Sequence, residues 1–369
     1  MQQTAPHLHR VPLDNLHRSL GARMVPFAGY EMPVNYPKGI IHEHLHTRNN
    51  TGLFDVSHMG CLFVHGDLAA AALEKLLPVD IQEMENGQVK YALLMNSKGG
   101  IEDDLLISRL FHGFMLVVNA SRKGHDLAYL QAELSSDNII IEPQFEKAMF
   151  AVQGPKANEI MRHLCPKVAT LKFMAITQAD LLGHRVIASR TGYTGEDGFE
   201  LICSPQAAEE IFRCFLDQDG VEPIGLGARD SLRLEAGLCL YGHELNETIS
   251  PIEAGLAWAI GKRQRLEGKF MGAARILTEI QSFPKKRRIG IIPECKAIPR
   301  EGCTLHDAEG HQIGEVTSGS QSPYLGHPIA MGFIDQKFLN MPLQVNIRGK
   351  LYPARQAKLP FVAPNYCRE

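Results

Sequence analysis

The stretch Arg190-Thr-Gly-Tyr-Thr-Gly-Glu-Asp-Gly-Phe-Glu200 contains three glycines and three acidic side chains. Residues 186–190, at its start, are rich in β-branched side chains, and residues 199–202, at its end, are apolar except for Glu200. Such segments favour strands, and glycines between two of them favour a turn. We therefore predict a β-hairpin whose glycine-rich turn contacts a ligand.

Glu200 is the residue of this hairpin that needs an explanation. A carboxylate in an apolar strand costs free energy unless hydrogen-bond donors meet it. The sequence leaves two kinds of donor for Glu200. An arginine of the protein would make the hairpin a purely structural feature, and the donor-bearing edge of a ligand would make it part of a binding site.

Length and composition limit the classes of function. With 369 residues, 44% of them apolar and 21% charged, the chain is typical of a soluble protein of two or three domains. The formal net charge of −3 gives no overall basic field for nucleic acid or for an acidic membrane surface. We expect a small-molecule ligand, and neither a nucleic acid nor a membrane as a partner.

The cysteines and the first residues bear on the compartment. Eight cysteines are scattered without a CxxC pair, which favours free thiols in a reducing compartment. Residues 1–9 contain no apolar leader and no arginine-rich amphipathic leader. We predict a cytoplasmic protein, and a processed mitochondrial protein would have the same features.

Helix and strand signals alternate irregularly along the chain. Short strands near 89–95, 104–110 and 114–119 predict an antiparallel meander. Helices are predicted at 68–77, with Asp67 as the N-cap, and close to residues 39–48. From 289 onward the chain consists of short strands and turns, which predicts an all-β module after a boundary at 263–288. This mixture predicts the α+β class rather than a doubly wound parallel sheet.

The segment His42-Glu-His-Leu-His46 matches the zinc-protease pattern H-E-x-x-H. A catalytic zinc needs three protein ligands, and the sequence shows no third ligand at the spacing that the extended motif requires. We therefore predict no metal here, and interpret the segment as a histidine-rich helix that is packed or faces solvent.

Charged residues at two further places in the sequence could bind a ligand. Arg229 follows Gly225-Leu-Gly-Ala at the start of a predicted helix, where its side chain could bind a carboxylate of a ligand or could pair with Asp230 or Glu235. In the pair Asp103-Asp104, neighbouring strand residues point to opposite faces, so only one of them can enter a pocket. The alternation does not indicate which one.

Six motifs in register resemble the glycine cleavage T-protein family over nearly the whole chain. They are Phe27-Ala-Gly-Tyr-Glu-Met-Pro33, Leu53-Phe-Asp-Val-Ser-His-Met-Gly60, Gly99-Gly-Ile-Glu-Asp-Asp-Leu105, the stretch from Arg190 to Glu200, the stretch from Gly225 to Tyr241, and Ser318-Gly-Ser-Gln-Ser-Pro323. The resemblance implies an aminomethyltransferase with tetrahydrofolate as co-substrate and with no metal and no flavin. It also implies that the one-carbon donor is the aminomethyl group on the lipoyl arm of an H-protein, with release of ammonia and formation of 5,10-methylenetetrahydrofolate.

The resemblance implies a fold and a set of site residues as well. The fold is a three-domain cloverleaf, with a discontinuous folate-binding domain at 1–50 and 140–262, an inserted α+β domain at 51–139, and a jelly-roll-like β-barrel at 285–369. Asp104 matches the catalytic aspartate, Glu200 the glutamate that binds the pterin ring, and Arg229 the arginine of the folate site. The remaining expected pocket residues are Tyr91, Asn119, Tyr193 and Tyr366.

Two other functions are compatible with a folate pocket of this kind. One is transfer from a different one-carbon donor, such as a methylated amine or sulfonium compound. The other is folate binding without transferase activity, as in related iron–sulfur assembly factors. Those factors carry a Lys-Gly-Cys-Tyr-type motif, whereas this chain has Leu240-Tyr-Gly-His-Glu-Leu245 in the comparable stretch.

Overall fold

A computed structural model describes residues 8–135 and 138–367. Residues 1–7, which bear on the predicted lack of a leader, lie outside the described residues. The strands are β1 His9–Arg10, β2 Arg23–Phe27, β3 Tyr30–Asn35, β4 Thr51–Asp55, β5 Gly60–His65, β6 Val89–Met95, β7 Ile101–Leu110, β8 Gly113–Val118, β9 Ile140–Pro143, β10 Ala148–Gln153, β11 Ile176–Leu181, β12 His184–Ser189, β13 Gly198–Cys203, β14 Val221–Ile224, β15 Lys286–Pro293, β16 Thr304–His306, β17 Gln312–Gln321, β18 Pro328–Asp335, β19 Leu343–Ile347 and β20 Lys350–Ala357. The helices are α1 Asp14–Ser19, α2 Ile40–Asn49, α3 Ala69–Glu74, α4 Lys123–Glu133, α5 Ala157–Leu164, α6 Pro166–Ala169, α7 Ala208–Leu216, α8 Leu226–Glu235, α9 Lys262–Glu267 and α10 Ala273–Ser282.

A six-stranded sheet in the order β11-β12-β13-β10-β4-β14 contains the predicted hairpin. Strands β12 and β13 pair antiparallel, with Ser189 opposite Glu200, so the hairpin prediction is confirmed. Because side chains alternate along a strand, Phe199 and Leu201 enter the core beneath the sheet, while Glu200 faces the other way. This alternation places a carboxylate on the face that borders the site described below.

A five-stranded antiparallel sheet in the order β6-β7-β8-β5-β9 confirms the predicted meander of β6, β7 and β8. In β7, Leu105 and Ile107 pack into the core of this half of the molecule together with α3 and α4. Asp103 lies on the same face as these two residues and is fully buried, whereas Asp104 lies on the opposite face and is only partly buried.

The C-terminal strands close into a six-stranded barrel in the order β15-β18-β17-β16-β19-β20. Alternating residues such as Ile291, Leu305 and Val345 fill its interior. The prediction of an all-β C-terminal module is therefore confirmed, and closure leaves no unpaired strand edge. With mixed helices and sheets before it, the chain belongs to the α+β class as predicted.

Some local expectations need correction. Helix α3 ends at Glu74, short of the predicted Leu77, and the residue at its N-cap is Leu68, with no side-chain cap from Asp67. Strand β4 pairs with β10 and β14, so residues 51–55 lie with the six-stranded sheet. The boundaries of the inserted domain, 51–139, stay a prediction. Within the described residues, no helix has the length and apolar character needed to cross a membrane.

Candidate functional site

A cavity of about 1620 Å³ lies where the two sheets, α8 and the C-terminal barrel meet. Its walls include residues of β6 and β7 on one side, β13 and α8 on another, and the start of the barrel on a third. All seven predicted site residues line it: Tyr91, Asp104, Asn119, Tyr193, Glu200, Arg229 and Tyr366. The structure thus brings together side chains that are up to 275 positions apart in the chain.

Asp104 is the member of the aspartate pair that faces the cavity. Tyr91 Oη donates a hydrogen bond to Asp104 Oδ2 at 3.0 Å, and Asn119 Nδ2 donates to Oδ1 at 2.8 Å. Burial raises the pKa of Asp104 to about 7, and the negative charge of Asp103 acts in the same direction. A carboxyl with this pKa can hold or release a proton near neutral pH.

Asp103 and Asp126 form a second carboxyl layer behind Asp104. Asp103 accepts hydrogen bonds from the backbone N–H of Asn119 at 3.0 Å and from Asn119 Nδ2 at 2.9 Å. Burial, together with the charge of Asp103, raises the pKa of Asp126 to about 10. A neutral Asp126 can donate its proton to Asp103, so this layer keeps one negative charge and fixes Asn119 against Asp104.

Glu200 has no arginine or lysine partner within residues 8–135 and 138–367. Its Oε2 accepts a hydrogen bond from Thr191 Oγ1, which in turn lies 2.7 Å from Ser189 Oγ. The first alternative for this residue, a structural ion pair, is therefore not what the structure has. The carboxylate keeps acceptor capacity toward the cavity that it lines.

Arg229 likewise lacks a carboxylate partner in the described part of the chain. The two residues that could have paired with it are engaged elsewhere: Asp230 accepts from Arg233 at 2.9 Å, and Glu235 accepts from Arg48 at 2.8 Å. The guanidinium of Arg229 lies 4.7 Å from the centre of the Tyr193 ring. Burial lowers its pKa, which the nearby Tyr193 and Glu200 only partly offset. A partly buried arginine without a carboxylate partner can bind a ligand carboxylate or carbonyl.

The aromatic residues of the cavity are held by specific contacts. Tyr193 Oη donates to the carbonyl of Cys239. Tyr366 stacks on Phe173, with 4.4 Å between ring centres and an interplanar angle of 10°. Its neighbour Asn365 donates from its backbone to the carbonyl of Gly195 at 2.8 Å. The segment around Asn365 is therefore attached to the glycine-rich turn, which places Tyr366 at the cavity.

The glycine-rich turn is held in place by ion pairs and close packing. Its acidic residues are paired, Asp197 with Arg190 and Glu196 with Arg48, the latter at 2.8 Å. A Cβ on Gly192 would lie 1.9 Å from Gln153 Oε1, so any other residue here would have to displace the buried Gln153 side chain. Gly195 has a φ of +83°, which disfavours any other residue. The prediction of a ligand-contacting turn stays a proposal, since only Thr191, Gly192 and Tyr193 of the turn line the cavity.

Two cavity residues were not identified from the sequence. Trp258 stacks on Tyr91 with 5.4 Å between ring centres, and 65% of it is exposed, which places it at the entrance. His58 is buried, and its Nδ1 has no hydrogen-bond partner among the described residues. Burial lowers the pKa of His58 to about 3, so the ring is neutral. Trp258 is the only tryptophan of the chain and His58 lies in a quoted motif, but neither signal indicated the cavity.

The histidine-rich helix differs from the expectation in one respect. His42 and His46 share one face of α2, as expected, and Glu222 of β14 lies between them as a possible third ligand. Glu43 is turned into the protein, where it accepts from the backbone N–H groups of Tyr36 and Gly225 at 2.6 and 2.8 Å. It cannot act as the general base of a zinc protease, because both of its oxygens are engaged.

Comparison with known proteins gives two family models that together span most of the chain. Residues 13–264 match the model described as the GCVT N-terminal domain. Residues 286–363 match the glycine cleavage T-protein C-terminal barrel domain.

Individual relatives match over nearly their full length. The mitochondrial aminomethyltransferase of Dictyostelium discoideum is 41% identical, over 97% of this chain and 94% of the relative. The aminomethyltransferase of Chloroherpeton thalassium is 40% identical, over 96% of this chain and 99% of the relative. The crystal structure of the glycine cleavage system aminomethyltransferase T from Bartonella henselae superposes with a TM-score of 0.91 at 38% identity, covering 98% of this chain and 99% of that one.

Proposed function

The chain belongs to the glycine cleavage T-protein family of aminomethyltransferases, and on this premise we propose that its cavity transfers the one-carbon unit of an aminomethyl group to tetrahydrofolate. The reaction class is that of its relatives, an aminomethyl transfer within the glycine cleavage system. The observation that supports this cavity as the site is that all seven residues implied by the family resemblance line it.

The residues present fit a folate. A volume of about 1620 Å³ exceeds the roughly 300–1000 Å³ of a pocket for one small molecule, so the cavity has room for a folate and for a second substrate. Glu200 offers acceptor oxygens that suit the paired N–H donors of a pterin ring, and Arg229 offers donors to a carbonyl or carboxylate. Such unpaired groups cost free energy in the free protein and are typical of a binding site.

Asp104 is the proposed catalytic residue. Tetrahydrofolate supplies the nitrogen atoms that accept the one-carbon unit. Asp104, held by Tyr91 and Asn119, would lie next to these nitrogens and stabilise the positive charge that develops during transfer. With a pKa of about 7 it can also accept a proton and return it. The rigid walls around it would hold the two substrates in line, which supplies much of the rate acceleration.

The proposed donor is the aminomethyl group on the lipoyl arm of an H-protein, and ammonia is the proposed leaving group. A long flexible arm needs an entrance, and the exposed Trp258 stacked on Tyr91 marks one within reach of Asp104. The compartment follows from neither the fold nor the relatives, which include both mitochondrial and bacterial proteins. We propose the cytoplasm on the grounds of the free cysteines alone.

The proposal is tested by measuring ammonia release from aminomethylated H-protein by the purified protein. We expect rapid release only when tetrahydrofolate and the H-protein are both present, with formation of methylenetetrahydrofolate in equal amount. Release that is unaffected by omitting tetrahydrofolate would contradict the proposed acceptor. A one-carbon transfer that proceeds from a methylated amine but not from H-protein would instead indicate the alternative donor.

A further inference from the structure

We propose that His42, His46 and Glu222 form a binding site for a divalent metal ion of the zinc type, on the outer surface and separate from the substrate cavity. None of the three residues lines that cavity. One donor atom from each of them lies within 4.8 Å of the other two. Two imidazoles and one carboxylate make up a common ligand set for zinc, with the fourth position left to water.

The helix and the neighbouring strand bring these ligands together. His42 and His46 are four residues apart on α2, so their rings lie one above the other at 5.8 Å between centres. Glu222, on the adjacent β14, reaches both: its Oε2 lies 2.8 Å from His42 Nε2, and its Oε1 lies 3.4 Å from His46 Nδ1. In a tetrahedral zinc site with bonds of roughly 2.0–2.1 Å, neighbouring donor atoms lie about 3.4 Å apart. Small movements of the exposed His42 and the partly exposed Glu222 are enough to reach that geometry around His46.

The tautomer of His46 is already the one that a metal requires. Its Nε2 lies 3.0 Å from the carbonyl oxygen of Gly220, to which only a protonated nitrogen can donate. In the neutral ring this leaves the lone pair on Nδ1, the atom that faces Glu222. A backbone carbonyl that fixes the ring and its tautomer is the usual outer partner of a zinc-bound histidine.

Lys38 is the competing cation. Its ammonium lies 2.8 Å from Glu222 Oε1, and 60% of its side chain is exposed. An exposed ion pair of this kind contributes only about 0–1 kcal/mol, so a metal ion can replace it at small cost. When the metal replaces Lys38, the negative charge of Glu222 pairs with the metal instead of with the ammonium group.

This site would bind a metal ion but would not catalyse hydrolysis. Glu43, the residue that would serve as general base in the H-E-x-x-H pattern, is buried and accepts two backbone hydrogen bonds. A metal here would instead join α2 to β14. We therefore expect zinc to stabilise the fold, since a ligand that binds only the folded state raises the free energy of unfolding.

The test is a calorimetric titration of zinc chloride into the reduced, chelator-stripped protein at pH 7.5. We expect one saturable site in the wild type and a zinc-dependent rise in Tm. The substitutions His42→Ala and Glu222→Gln should each weaken binding by at least the roughly 10- to 100-fold seen for the loss of an outer partner. Both side chains are at least partly exposed, and circular dichroism with thermal unfolding in the absence of metal verifies that the variants fold.

His184→Ala is the matched control. His184 Nε2 lies 2.8 Å from Glu210 Oε2, the same distance as in the His42–Glu222 pair, but no third ligand accompanies it in the described chain. This variant should bind zinc as the wild type does. The proposal is overturned if the wild type binds no zinc, or if zinc bound to the wild type is bound equally well by His42→Ala and Glu222→Gln, as binding to thiols would be.

Discussion

Two arginines one turn apart on α8 have opposite surroundings. Arg233 is 2% exposed and donates to Asp230 and Glu244, both at 2.9 Å, and to Ser318 at 2.8 Å. Arg229, on the neighbouring turn, lines the cavity and has no carboxylate partner among the described residues. One chain thus contains a fully paired buried cation and an unpaired one within about 6 Å along the same helix.

The glutamates repeat this contrast. Glu235 accepts hydrogen bonds from Arg48, His44 and Ser322, whereas Glu200 accepts only from Thr191 among the described side chains. A buried charge with a complete set of partners has a structural role, and removing one partner leaves the other uncompensated. A charge that borders a cavity without partners is available to a ligand. The predictions below separate these two kinds of charge.

The largest expected effect is that Asp104→Asn lowers the rate of ammonia release. The exchange keeps the shape, and the Tyr91 hydroxyl can turn to accept from the new amide, but the charge and the titrating proton are lost. We expect ammonia release to slow by a factor on the order of 10²–10⁴. Because burial disfavours the ionised carboxyl, Tm at pH 8 should be unchanged or higher. Wild-type rates in this variant would remove Asp104 from the catalytic role.

A similarly large effect, on stability, is expected for Arg233→Met. Without the arginine, Glu244 keeps a buried charge with only hydroxyl and backbone donors. The free energy of unfolding should fall by about 3–5 kcal/mol, measured by urea denaturation at pH 7.5. The matched variant is Arg229→Met on the same helix, which should leave the free energy of unfolding unchanged or raise it. Equal losses in the two variants would show that the unpaired arginine is structural after all.

The smallest expected effect is a shift in the pH profile. Since the ionised form of Asp104 is the proposed active form, the rate should rise with pH through about 7. Asp103→Asn removes a negative charge that raises this pKa, so the rising limb should move to lower pH. Asp126→Asn is the control, because the neutral Asp126, with a pKa of about 10, is replaced by another neutral donor. A limb that moves equally in both variants would contradict the layered arrangement of these carboxyls.

Sequence patterns predicted those structural features that are set by residues close together in the chain. The hairpin around Glu200 and the start of α8 after Gly225 follow from residues that are close in sequence, and the structure has both. The alternation along β7 allowed at most one aspartate of the pair to face a pocket, but it could not choose between Asp103 and Asp104, because that choice depends on where α4 packs. The family resemblance supplied Asp104, and the structure agrees on its exposure to the cavity.

Contacts between residues far apart in the chain could not be predicted from the sequence. Glu222 lies 180 positions after His42, and nothing near either residue indicates that β14 runs beside α2. Asp126 gains its role only through packing of α4 behind β7, and Trp258 gains its role through stacking on Tyr91. Whether Glu200 and Arg229 pair with protein groups was likewise undecidable, since it depends on where the competing partners Asp230 and Glu235 go.

The most direct test of the central claim is a calorimetric titration of tetrahydrofolate into the wild type and into Glu200→Ala. If the unpaired charges of the cavity bind the folate, the wild type binds one equivalent. The variant should then lose about 1.5–3 kcal/mol of binding free energy, or roughly 10- to 150-fold in affinity, as expected for a hydrogen bond to a charged group. Equal affinities in the two proteins would contradict the claim that Glu200, which has no arginine or lysine partner among the described residues, binds the pterin ring.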